Sequence, residues 1–132
     1  MADLKNLVLE RADKYIFEQE TNSPQKLREF VSRKVIGPIA NELERINRDL
    51  YKFDKDENKT ETKLVNEIVT LQEDDDSFKI LKEYKDGLLI LLVVSFKEGK
   101  AYKLNRSSQT DEEFYTELIY EDLTESLAKA FK

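Results

Sequence analysis

The 132-residue sequence predicts an α+β fold in a single domain, residues 1–132, with helices at both ends and an antiparallel sheet between them. Apolar residues recur at three- and four-residue steps over the first fifty residues and the last twenty, which is typical of helices. From residue 77 onward the pattern changes to strand-like alternation. Within that part, Leu88–Val94 is a run of seven apolar residues. Because a half-buried strand alternates apolar with polar positions, this run requires cover on both of its faces.

Two N-terminal helices are predicted. The first spans residues 3–19, and its apolar stripe consists of Leu4, Leu7, Val8, Ala12, Tyr15 and Ile16. Ser23 is a suitable N-cap for the second helix, since Pro24 fits the first helical position, where no N–H is needed. The second helix should reach about residue 53, with a kink at Gly37-Pro38, because proline removes a backbone donor and clashes with the preceding turn.

The segment after the kink allows two interpretations. Its apolar residues alternate four- and three-residue steps, namely Ile39, Leu43, Ile46, Leu50 and Phe53. This pattern fits a short coiled-coil seam, but it covers fewer heptads than a coiled coil needs, so a helix lying on the sheet is favoured. The charged segment 54–59 is predicted to be a linker. Residues 63–72 fit a helix or a strand, and their β-branched content favours the strand.

A meander of three or four strands should follow. Phe78 to Tyr84 alternate as a strand, and Lys85-Asp86-Gly87 predicts a hairpin with a type I′ turn. A second turn at residues 97–100 and a returning strand at 101–106 make the apolar run the middle strand. One C-terminal helix is expected over residues 111–130, with Thr110 and Glu113 as its capping box.

Composition excludes several chemistries. The chain has no cysteine and no histidine, so thiolate zinc sites, cysteine nucleophiles and Ser-His-Asp relays cannot form within it. We expect no metal and no cofactor. The net charge of −6 argues against free nucleic acid as a partner and favours a basic protein. The N-terminal residues show no signal-peptide pattern and the apolar run is too short to span a bilayer, so we expect a cytoplasmic protein with no membrane partner.

One pattern suggests a catalytic site. Asp76, Glu83 and Lys85 place an acidic residue upstream of Glu-x-Lys, a spacing that resembles the PD-(D/E)xK nucleases. In those enzymes the carboxylates hold a divalent metal ion and the lysine positions the attacking water. The supporting proline is absent, and strand alternation alone places Glu83 and Lys85 on one face. A divalent-metal-dependent nuclease or hydrolase is therefore the alternative hypothesis.

The preferred hypothesis is a non-enzymatic protein-binding module, such as an adaptor, an escort chaperone, an immunity protein or an inhibitor. Tyrosine is enriched at protein interfaces, and the candidate binding residues are Tyr51, Tyr102, Tyr115 and Tyr120. The placement of the C-terminal helix decides what covers the apolar run. If that helix packs on the same side as the first two, the other sheet face requires a partner, and we expect a homodimer.

Overall fold

Helices occupy the two ends of the chain and strands its middle, in a computed structural model that describes residues 3–132. The helical segments before the sheet are α1 (Leu4–Glu20), α2 (Pro24–Phe30), a π-helical segment (Val31–Ile36), α3 (Gly37–Ile46) and a 3-10 turn (Arg48–Leu50). The strands are β1 (Tyr51–Lys55), β2 (Lys59–Leu64), β3 (Glu67–Glu73), β4 (Ser77–Tyr84), β5 (Gly87–Lys97), β6 (Lys100–Arg106) and β7 (Glu113–Glu117). Helix α4 (Tyr120–Lys129) follows the last strand.

The seven strands form one sheet in the order β1 to β7, and each strand pairs antiparallel with the next. The predicted α+β class and the meander are thereby confirmed, but three or four strands is an underestimate. The apolar run lies in β5, as predicted, between β4 and β6. Among residues 3–132, no helix is long and apolar enough to cross a membrane.

Three strands lie where the sequence predicted other structure. β1 was expected to be the end of a helix that leads into the charged linker 54–59. β2 begins at the last residue of that linker and reaches into the segment 63–72, for which a strand was favoured over a helix. Strand β2 has the sequence Lys-Thr-Glu-Thr-Lys-Leu, in which Thr60, Thr62 and Leu64 are buried and the charged residues between them are exposed. Threonine favours strands and can fill the inner face, so an alternation that counts only apolar residues misses this strand. β7 occupies the first part of the predicted last helix.

The second helix departs from its prediction in two ways. The irregularity lies at Val31–Ile36, upstream of Gly37-Pro38, where the backbone widens into a π-helical segment. Pro38 then lies in the first turn of α3, where a missing N–H costs little. The helix also ends at Ile46, so the predicted seam is incomplete, and Ile39 and Ile46 are 48% and 75% exposed.

The main core lies between the helices and one face of the sheet, which we call the covered face. Its buried helical members come from α2, the π-helical segment and α4, and its sheet members come from alternate positions of the central strands; the cluster includes Leu27, Val31, Ile36, Leu123, Leu127, Val69, Leu71, Phe78, Ile80, Leu92 and Val94. Helix α4 therefore packs on the same sheet face as α2. Its first turn is capped by Asp122, whose Oδ2 accepts from the Ile119 N–H at 2.9 Å, and not by the predicted Thr110–Glu113 pair.

Arg28 joins α2 to the sheet through a buried ion pair. Its Nη2 lies 2.9 Å from Glu73 Oε1, and the two side chains are 6% and 15% exposed. The guanidinium also donates to the carbonyl oxygens of Asp56 and Glu57, in the turn between β1 and β2. One side chain thus holds the helical layer against the end of β3 and the first hairpin of the sheet.

Replacement of Arg28 by methionine should therefore destabilise the fold. The variant leaves the Glu73 carboxylate with neither its cation nor full hydration, and the expected loss of unfolding free energy is about 3 kcal/mol. Urea denaturation followed by circular dichroism measures this loss. The double variant Arg28→Met/Glu73→Leu should lose less, because no unpaired charge remains. A single variant within about 0.5 kcal/mol of the parent chain, the range of ordinary surface substitutions, would contradict a role of this ion pair in stability.

Candidate protein-binding surface

The second face of the sheet is apolar at its centre, and we call it the open face. Residues paired across antiparallel strands share a face, and alternate residues of one strand point to opposite faces, so the strand register assigns every position. The uncharged side chains assigned to the open face are Ile68, Thr70, Gln72, Ser77, Leu81, Leu88, Ile90, Val93, Ser95, Tyr102, Leu104 and Tyr115. Apolar side chains from five neighbouring strands, β3 to β7, therefore meet on one surface.

A β-bulge explains how the apolar run serves both faces. The pairing of β4 with β5 shifts register between Ile80 and Leu81, which leaves Leu91 as the extra residue of β5. Beyond the bulge, Leu92 and Val94 are buried in the core. Before it, Leu88 and Ile90 fall on the open face and are 62% and 55% exposed. The C-terminal part of the run is thus buried on the covered face, whereas its N-terminal part is exposed, with Leu88 and Ile90 on the open face and Leu89, 43% exposed, on the other.

The structure separates the four tyrosines predicted to bind. Tyr102 pairs with Glu117 and Tyr115 pairs with Leu104, so these two tyrosines are diagonal neighbours on the open face, and Tyr115 is 54% exposed. Tyr51 instead packs against the core on the covered face. Tyr120 forms edge-to-face contacts with Phe17 and Phe30, at ring-centroid distances of 6.4 and 6.3 Å. Only Tyr102 and Tyr115 are brought together by the fold.

The charge of the open face is opposite to that of the whole chain. The register places seven basic residues on it, namely Lys52, Lys59, Lys63, Lys79, Lys97, Lys100 and Arg106. Against them stand five acidic residues, namely Asp54, Glu61, Glu83, Glu113 and Glu117. A face with a basic excess on a chain of net charge −6 favours an acidic partner, in contrast to the basic partner that the overall charge suggests.

The proposed catalytic residues are spread along β4. Asp76 immediately precedes this strand, whereas Glu83 lies near its other end, roughly 20 Å away at the usual rise per residue. Lys85 is exposed in the turn after β4. The nearest acid–lysine contact in this region joins Glu67 Oε2 to Lys82 Nζ, at 3.3 Å. Among residues 3–132, no group of three acidic, histidine or cysteine side chains is placed to hold a metal ion.

Helix α1 presents a second apolar surface that the sequence located but assigned to the core. None of its residues is buried. It contacts the body of the protein mainly near its C-terminal end, where Phe17 packs edge-to-face on Phe30 with ring centroids 5.4 Å apart. At about 100° per residue, Tyr15 lies about 200° around the helix from Phe17. Leu4 and Val8 lie within about 20° of Tyr15, so the apolar stripe faces away from the contact that holds the helix.

An apolar groove between α3 and α4 went undetected in the sequence. It has a volume of about 350 Å³ and is lined by Val35, Ile36, Ile39, Leu43, Leu64, Val65, Thr124, Leu127, Ala128 and Phe131. Val65 has a φ of 61°, a backbone conformation that β-branched residues rarely adopt. Two residues that line the groove, Ile39 and Leu43, belong to the predicted heptad seam. The spacing of that seam was the feature of the sequence that could have indicated the groove.

Of these surfaces, the open face carries both aromatic and charged side chains beside its apolar ones. The open face combines a broad apolar centre with two tyrosines and a charged margin, which is the arrangement of protein-binding patches. Comparison of the chain with protein-family models, with curated proteins and with solved structures gives no match.

The Tyr51 hydroxyl should make stability depend on alkaline pH. Burial raises the pKa of Tyr51 above its ordinary value of 10.0, and the negative charge of Glu44 raises this pKa further. Above pH 10 the unfolded state then loses the proton before the folded state, so stability falls until the pH passes the folded pKa. Tyr51→Phe should flatten this part of the curve of unfolding free energy against pH. Equal slopes of unfolding free energy against pH above pH 10 in the parent and the variant would refute this role of Tyr51.

Divalent metal ions should leave the thermal stability unchanged. A ligand that binds only the folded state raises the melting temperature, and the separation of Asp76 from Glu83 leaves such an ion without a shared site. Thermal denaturation with Mg²⁺ or Mn²⁺, and with equal ionic strength of NaCl as the control, measures the effect. A rise in melting temperature with either ion that is lost in Glu83→Gln would instead support the hydrolase hypothesis.

Proposed function

We propose that this protein is a non-enzymatic protein-binding module that acts as a homodimer through its open face. The observation that carries the proposal is the uncovered part of the apolar run. Leu88, Ile90 and Tyr115 each expose more than half of their side-chain surface on a face whose remaining centre is also largely apolar. Soluble monomers rarely leave a contiguous apolar patch of this kind in contact with water.

The position of the helices supports a partner in trans. Leu27, Phe30 and Val31 from the N-terminal helices, and Leu123 and Leu127 from α4, all belong to the same core on the covered face. A sheet that is apolar on both faces needs a second layer, and neighbouring chains commonly supply it. The fold has a helical layer and a sheet layer, and the open face is the side of the sheet on which a further layer could pack.

The charges favour a second copy over an unrelated basic protein. The open face has seven basic and five acidic residues, whereas the chain as a whole has 28 acidic and 22 basic residues. The remainder of each molecule is therefore strongly acidic. A second copy can present such a surface to the basic margin of the open face, which gives the favourable long-range attraction that an interface uses.

A lysine at the centre of the open face should produce monomers. Ile90→Lys inserts a charge where the dimer excludes water, and we expect the dimer dissociation constant to rise at least tenfold. Sedimentation equilibrium over a range of protein concentrations measures this constant. The matched control is Ile46→Lys, the same change at a residue that is 75% exposed at the end of α3, outside the sheet.

The control should dimerise like the parent chain. A parent chain that stays monomeric throughout the concentration range would refute the homodimer. A dimer that Ile90→Lys leaves intact would place the interface elsewhere than on the open face.

A further inference from the structure

We infer that the apolar stripe of α1 covers the open face of a second copy, in a reciprocal exchange that buries both surfaces in one symmetric dimer. This inference rests on the proposed function and adds the element that fills the interface. Two apolar surfaces of the chain have no partner within the subunit. The structure leaves one helix that has an apolar stripe but no buried residue, and one apolar sheet face with no covering layer.

The orientation of α1 is the first argument. Within its own subunit the helix is held by Phe17 and by a 4.0 Å contact between Lys14 and Glu117. Lys14 and Phe17 are one turn apart and share a side of the helix. The stripe lies on the other side, where Leu4, Val8 and Tyr15 are 74%, 57% and 63% exposed. The contacts within the subunit therefore fix α1 with its apolar side turned outward, where only another molecule can cover it.

Charge is the second argument. Helix α1 with its N-cap Asp3 carries three basic residues, Lys5, Arg11 and Lys14, and five acidic ones, Asp3, Glu10, Asp13, Glu18 and Glu20. The open face has the opposite excess. At about 100° per residue only Lys5, Arg11 and Glu18 lie within about 90° of Tyr15, so the acidic excess of α1 acts at long range and is not arranged along the stripe. The net charges of the helix and of the open face are opposite, whereas two copies of the open face, or two copies of α1, would bring like excess charges together.

Area is the third argument. In a two-fold symmetric dimer each subunit gives one helix and receives one, so every contact occurs twice. Eight large apolar side chains per subunit are exposed on these two surfaces, five on the stripe and three on the open face. At roughly 90 Å² each, the middle of the range for burying one apolar side chain, they supply roughly 700 Å² per partner. Stable interfaces of standard size bury about 800 Å² per partner, so the stripe and the open face together suffice, whereas either surface paired with itself offers about half as much.

The helix itself can be tested with a pair of neighbouring substitutions. Val8→Lys places a cation in the stripe against a basic face, and Leu9→Lys makes the same change about 120° away from Tyr15 around the helix, at a residue that is 51% exposed. We expect Val8→Lys to weaken the dimer at least tenfold in sedimentation equilibrium and Leu9→Lys to leave it within about twofold of the parent chain.

Cross-linking locates the contact directly, because the chain has no cysteine of its own. Single-cysteine variants Val8→Cys and Ile90→Cys are mixed and treated with a short bis-maleimide, so that only two different subunits can be joined. We expect covalent dimers from this mixture. Leu9→Cys mixed with Ile90→Cys is the control on the helix, and Val8→Cys mixed with Ile39→Cys, in the apolar groove between α3 and α4, is the control on the receiving surface.

The outcomes separate this inference from the proposed function. A dimer that resists Val8→Lys but is broken by Ile90→Lys would overturn the exchange of α1 and keep the open face as the interface. Preferred cross-linking of Val8→Cys to itself, or to Ile39→Cys, would likewise overturn it and assign the helix to another helix or to the groove. A parent chain that is monomeric throughout would overturn both proposals.

Discussion

The constraint that governs this protein is that its sheet has two apolar faces and its helices cover one of them. Seven antiparallel strands in sequential order give a broad surface on each side. Helix α2, the π-helical segment and α4 fill one side with a continuous core around Phe78 and Ile80. Once these helices share a side, the other face must remain in water or bind another molecule, and its apolar side chains favour the second.

The β-bulge in β5 turns this constraint into a specific surface. Without the extra residue at Leu91, strict alternation would place Leu88 and Ile90 on the same face as Leu92 and Val94, which is the covered face. The bulge shifts that pattern, so Leu88 and Ile90 join Tyr102 and Tyr115 on the open face. The C-terminal part of the seven-residue apolar run thus packs in the core, and its N-terminal part contributes Leu88 and Ile90 to the open face. The run is consistent with two-sided burial only when a second molecule is present.

Buried polar contacts hold the covered side together and account for much of the charge that looked available for ligands. Arg28 of α2 is buried against Glu73 and two backbone carbonyls. Lys103 and Asp122 similarly join β6 to α4 at 3.2 Å. These pairs fix the helical layer on one face, and they leave the open face with its basic excess as the surface for electrostatic attraction.

The sequence by itself determined the α+β class, the start of α2 at Ser23-Pro24, the hairpins around β5 and the anomaly of the apolar run, because propensity, capping and turn residues act locally. It missed β2, since threonines form part of its inner face. It read β1 as the end of a helix, since the four- and three-residue apolar spacing continues to Phe53, and it read β7 as helix, since a capping pattern preceded it. Only the tertiary structure decided that α4 packs beside α2, that Tyr102 and Tyr115 meet while Tyr51 and Tyr120 lie apart, and that the stripe of α1 faces outward. These outcomes depend on which element packs against which, and a periodic pattern locates an apolar surface without identifying what packs against it.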